Sequence, residues 1–204
     1  MRAYYMDEDP SDQRLPHDSG VAVPEEILDK LGVLRWYIPV DAEGKWESQV
    51  DVIADERSYR NRDIVFVTKE GMGDQFEANL KKFYHEHMHE DEEIRYIIEG
   101  GGYFDVRGMC SFTPTASPQA HNWLTESPTD SWIRLHLGSG DMIVLPAGIY
   151  HRFGLDTNMR SRTMRLFKDE PKWIAHYRGE HTDTNPFRID YLKNLQSNGV
   201  AVGA

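Results

Sequence analysis

From residue 87 onward the chain is a succession of short β-prone runs, EEIRYIIEG, GGYFDVR, SWIRLHL, DMIVLPAG, IYHRFGL and TMRLF, closed by glycine, proline or polar residues. No helical segment separates them, so βαβ crossovers are excluded and the strands must pair antiparallel, as a sandwich or barrel. The expected fold class is therefore mainly β. Between the second and third runs lies GMCSFTPTASPQAHNWLTESPTD (108 to 130), rich in proline, serine and threonine and without a period. It reads as a long loop inserted in a hairpin.

The first 84 residues read differently. In VPEEILDKLGVL, Pro24 suits a first helical turn, Glu25 and Glu26 its positive end, and Gly32 its stop. A second helix is expected around residues 49 to 59. A third runs through GDQFEANLKKFY, with Asp74 as N-cap and Phe76, Leu80, Phe83 and Tyr84 at helical spacing. NPFRIDYLKNL predicts a short final helix. The expected organisation is one domain over 1–180, with an N-terminal helical decoration (1–84), a barrel (85–170) carrying the inserted loop (108–130), and a C-terminal tail (181–204).

The charge balance narrows the partners. With 34 acidic against 23 basic residues the net charge is -11, which disfavours nucleic acid and anionic membranes. The opening MRAYYMDEDPSDQRLPHDSG has acids and prolines where a signal peptide needs a basic tip and an apolar run. No stretch approaches the roughly 18 apolar residues of a spanning helix. One cysteine, Cys110, excludes an intrachain disulfide. A cytoplasmic chain is expected, with a nuclear pool open to so small a protein although no basic cluster would direct one.

HEHMHEDEEIRYIIEG places three histidines within five residues at the head of the first run. On an unbroken strand His87, His89, Glu93 and Arg95 share one face. Two imidazoles and a carboxylate facing a barrel interior are costly unpaired, and a divalent cation satisfies them together. The alternative is a solvated, charged strand end. GDMIVLPAGIYHRF adds His151 after a Pro-Ala-Gly turn, a fourth candidate from a distant strand. The spacings H-x-H-x3-E-x6-G and G-x5-P-x-G-x2-H are those of the two cupin motifs. Two departures fall on turns, not ligands: the first motif's opening glycine is replaced near Lys81, and the second's closing asparagine is Leu155. Three imidazoles and one carboxylate suit Fe(II), Ni(II), Mn(II) or Co(II) with two open positions, whereas zinc favours four ligands. Imidazole must be neutral to bind, so affinity should fall below about pH 6.

EHMHEDEEIRYIIEGGGYFDVR, GDMIVLPAGIYHRF and MRLFKDEPKW, with AYYMDEDPSDQRLPH and LGVLRWY earlier, resemble the acireductone dioxygenases of the methionine salvage pathway. The resemblance covers most of the chain apart from the insertion and the tail after about residue 180. It implies a cupin barrel in which His87, His89, Glu93 and His151 hold the metal. It implies a substrate, 1,2-dihydroxy-3-oxo-5-(methylthio)pentene, chelating through its enediolate oxygens. With Fe(II) the implied products are 4-methylthio-2-oxobutanoate and formate; with Ni(II) or Co(II) they are 3-methylthiopropanoate, formate and carbon monoxide. Arg95 and Arg165 are the implied cations against the substrate, their alternative being ordinary ion pairs. Phe83, Phe153 and Trp173 are implied for the wall around the methylthio tail, with core packing as the alternative. Glu86 is expected behind a ligand imidazole, steering its free ring nitrogen. His85, His17, His121, His136, His176 and His181 are expected on the solvent side, and a monomer is expected from the family. Two other readings compete: a different cupin metalloenzyme, such as an isomerase or another small-molecule oxygenase, and a non-catalytic metal-binding interaction protein.

Overall fold

The structure, a computed structural model, describes residues 1–7, 9–108, 130–170 and 174–200. Its elements in chain order are β1 (Arg2–Met6), β2 (Asp18–Ala22), α1 (Glu25–Lys30), β3 (Leu34–Tyr37), α2 (Lys45–Glu56), β4 (Asn61–Val67), α3 (Lys69–Met72), α4 (Phe76–Tyr84), β5 (His87–Met88), β6 (Glu93–Gly108), β7 (Ser131–Gly138), β8 (Asp141–Leu145), β9 (His151–Leu155), β10 (Ser161–Phe167), β11 (His176–Tyr177), α5 (Glu180–Asp183) and α6 (Pro186–Ser197). The strands pair antiparallel throughout, as two walls of a cupin barrel sharing β6.

β6 belongs to both walls because it turns a corner. Its first half lies between β8 and β10, and its second half, from Gly101, between β7 and β9. The corner is Gly100-Gly101-Gly102. Gly100 has φ +72, and a Cβ there would meet the Arg160 carbonyl at 2.2 Å; one on Gly101 would meet the Leu137 carbonyl at 2.2 Å. Only glycine lets the neighbouring backbones approach that closely. The runs EEIRYIIEG and GGYFDVR are thus one bent strand.

Alternation along β6 assigns its two faces. Ile94, Tyr96 and Ile98 face outward beneath α2, in a cluster with Trp46, Val50 and Ile53. Glu93 and Arg95 take the opposite parity and face the barrel interior. A second cluster fills the space between the walls, joining Phe104, Val106, Ile133 and Leu135 to Leu28 and Leu31 from the first helix. A third packs Phe76 and Leu80 of α4 on Val67 and Leu155.

The structure corrects the reading of the N-terminal region and of His17. The first 84 residues are not mainly helical: they contribute β1 to β4 as well, and the second helix starts at Lys45 rather than near 49. β1 and β2 are short, whereas β4 alternates along its whole length, with Asn61, Asp63, Val65 and Val67 on the less exposed side and Arg62, Ile64 and Phe66 on the other. The expected final helix is present as α6, and Tyr191, Leu195 and Val200 of the tail enter the central cluster. His17 is not on the solvent side: its ring is buried, with Nδ1 3.0 Å from Asp7 and Nε2 2.9 Å from the Asp12 carbonyl. His85, His136 and His181 are exposed as expected, His176 is half-buried, and His121 lies outside the described residues. The 108 to 130 stretch joins two strands that pair directly, Gly108 opposite Ser131, and its interior also lies outside the described residues.

Candidate metal centre

Strand pairing brings the histidines together. β5 lies against β9 with His87 directly opposite His151, and His89 follows β5 in the turn that leads to β6. One ring nitrogen of each lies within 4.8 Å of the others'. Ring centroids are 4.5 Å apart for His87 and His151, 5.0 Å for His87 and His89, and 5.3 Å for His89 and His151. The single-face argument is corrected here: the strand breaks between Met88 and Glu93, and a turn, not continuous alternation, sets His89 against Glu93.

The other ring nitrogens explain the orientation. Nδ1 of His87 donates to the His85 carbonyl at 2.6 Å, Nδ1 of His89 to the Ile174 carbonyl at 2.7 Å, and Nδ1 of His151 to the Ile149 carbonyl at 3.1 Å. A carbonyl only accepts, so each Nδ1 carries the proton and each Nε2 presents a lone pair. His151 Nε2 is buried with no hydrogen-bond partner, an arrangement that is costly unless another group completes it. Burial, with His87 nearby, holds the His151 imidazole well below its usual titration range; burial also lowers that of His87. Both rings are therefore neutral at neutral pH, the state a divalent cation requires. The donor set fits a borderline transition metal.

Glu93 borders this triad without joining it. One carboxylate oxygen is 3.6 Å from His89 Nε2, and the other is 2.5 Å from Arg95. Arg165 donates to both carboxylate oxygens of Asp63, from Nε at 2.8 Å and from Nη2 at 2.6 Å. Both predicted arginines thus have carboxylate partners and line the same cavity. That cavity, of about 280 Å³, also contains His87, His89, Glu93, His151, Phe83 and Phe153. Phe83 and Phe153 meet edge to face at 6.4 Å. Trp173 lies outside the described residues.

Glu86 is corrected. Its carboxylate does not reach an imidazole but is taken by Arg107, at 2.9 and 3.0 Å, and by Arg178, at 3.0 Å. Burial pushes its carboxyl up, and the two guanidiniums outweigh that and lower it. Backbone carbonyls perform the steering instead. Sequence reasoning also missed Asp63, whose signal was the alternation of NRDIVFV, and Tyr177, which pairs with His87 across β11 and β5.

The model of the ARD/ARD' family matches residues 2–111 and 123–175. Acireductone dioxygenase 1 of Coprinopsis cinerea is 49% identical over 195 residues, covering 96% of this chain and 98% of that protein. Acireductone dioxygenase of Phaeosphaeria nodorum is 50% identical over 196 residues, covering 96% and 98%. Among solved structures, an acireductone dioxygenase from Bacillus anthracis with a cadmium ion in its active centre superposes with a TM-score of 0.57 at 20% identity, covering 74% of this chain and 87% of that one.

Proposed function

The chain belongs to the ARD/ARD' family and is an acireductone dioxygenase by kinship, and from that premise we propose which residues do the work and on what. His87, His89 and His151 hold the metal, and Glu93 completes the set with the carboxylate oxygen that faces His89, its other oxygen staying on Arg95. The observation that carries this is the convergence of three Nε2 lone pairs, one of them buried and unpartnered. When bound, Fe(II), or Ni(II) or Co(II) in its place, supplies a Lewis acid that lowers the cost of deprotonating an enediol.

The substrate is 1,2-dihydroxy-3-oxo-5-(methylthio)pentene. Arg95 and Arg165, opposite one another on β6 and β10, face its developing dianion, and guanidinium stays charged and forks toward paired oxygens. Phe83 and Phe153 accommodate the methylthio tail, a role the proposal also gives Trp173, and Val65 and Val67 extend the apolar lining. O2 cleaves the substrate to 4-methylthio-2-oxobutanoate and formate in the iron form. The nickel or cobalt form yields 3-methylthiopropanoate, formate and carbon monoxide. The setting we propose is a cytoplasmic monomer of the methionine salvage pathway, consistent with a net charge of -11 and one cysteine. Among the described residues no helix is long and apolar enough to cross a membrane.

The test is aerobic turnover of freshly generated acireductone by protein stripped and reloaded with Fe(II) or Ni(II), with product analysis. Keto acid and formate with iron, and carbon monoxide with nickel, are expected. Consumption no faster than with the apoprotein overturns the substrate assignment.

A further inference from the structure

We propose that Asp63 is a positioning residue for Arg165, an inference that rests on the acireductone reading above. β10 runs between β6 and β4, and its register places Arg165 opposite Arg95 on one side and opposite Asp63 on the other. Three charged side chains therefore stand in one row across three strands. Cross-strand neighbours are close enough to interact, and two guanidiniums side by side repel. Glu93 engages the first, at 2.5 Å. Asp63 engages the second, meeting Nε and Nη2 of Arg165 at 2.8 and 2.6 Å.

A two-pronged contact fixes the plane of a guanidinium as well as its place, which a single hydrogen bond does not. Val65 and Val67, on the same face of β4, line the cavity, and Asp63 does not. Asp63 consequently acts through Arg165 and not on the substrate. Nor is the pair mainly a stability device. The Asp63 side chain is 40% exposed, and ion pairs that open to water add little to folding. What the pair does is hold one cation against the cavity wall beside another that would push it away.

The experiment is steady-state kinetics on acireductone with the metal-loaded full chain, its Asp63→Asn and Arg165→Met variants, and the double variant. Asp63→Asn should raise KM about fivefold to tenfold with kcat within about twofold. Metal content and melting temperature should match the parent, and Asp63→Glu should restore most of the loss. On the Arg165→Met background Asp63→Asn should add nothing, because its only route to the substrate is gone. A KM at the parent's value, or the same rise on both backgrounds, overturns the inference. So does loss of metal or a large drop in melting temperature, which marks Asp63 as structural. An inactive parent removes the acireductone reading itself, whereas an active parent indifferent to Asp63→Asn removes only the positioning role.

Discussion

A histidine offers a metal only the nitrogen that nothing else holds, and here the backbone decides which nitrogen that is. The carbonyls of His85, Ile149 and Ile174 each accept a hydrogen bond from an Nδ1, leaving three Nε2 lone pairs free, and one ring nitrogen of each histidine lies within 4.8 Å of the others'. The spacing of the two motifs named His87, His89 and His151, and the fold brings these three together. The device that orients them was not legible, because Ile174 is 85 residues from His89 and a carbonyl carries no side-chain signature. Glu86 was named for that task because a carboxylate is visible in a sequence; in the fold it neutralises two arginines instead. The orphan nitrogen of His151 yields a prediction. His151→Leu removes a buried acceptor without a partner, so the metal-free variant should melt at or above the parent. Saturating metal should stabilise the parent by about 3–4 kcal/mol at 100 to 1,000 times Kd, roughly 2–4 °C for each kcal/mol in a chain of this size, and should leave the variant where it was. Thermal denaturation with and without Co(II) checks both; an equal shift in the two proteins would remove His151 from the ligand set.

At the scale of elements, β6 carries the design. It brings Glu93 and Arg95 to one wall and, past the glycine corner, pairs Val106 with His151 on the other. The β-prone runs after residue 87 were all legible, because each combines β-branched or aromatic residues with a clear stop. That two of them form one strand was not, since three glycines read as a turn until the neighbouring backbones are in place. β1 and β2 escaped for another reason: they are five residues each, too short to show a period, and tertiary pairing with β7 and with each other creates them. The corner is testable. Gly100→Ala meets both a positive φ and the Arg160 carbonyl, so it should cost about 2–3 kcal/mol or more in urea denaturation. Gly138→Ala meets nothing within 4 Å and should change stability by less than about 1 kcal/mol. Equal costs would mean that the corner is not where β6 is constrained.

For the whole molecule, the tail closes the fold. α6 has an amphipathic pattern too weak to suggest a buried face from the sequence, yet Tyr191, Leu195 and Val200 pack with Leu28, Leu31 and Ile149. Tyr191 donates to the Leu31 carbonyl at 3.3 Å, and Arg188 to the Gly148 carbonyl at 2.9 Å. Gly148 in turn donates its backbone N–H to the His89 carbonyl at 2.9 Å. The end of the chain is thus connected through one turn to a predicted metal ligand, and the turn itself precedes His151. Packing and site should therefore weaken together when the tail is loosened. Leu195, 2% exposed, is the position to test. Leu195→Ala should cost about 2–5 kcal/mol of stability through lost burial and a residual cavity. It should also weaken Co(II) affinity measurably while leaving the absorption spectrum of the bound ion unchanged, because the ligands are intact and only the support of the Gly148 turn is altered. A variant destabilised to that extent but binding Co(II) as tightly as the parent would show that the tail stabilises the barrel without bracing the metal site.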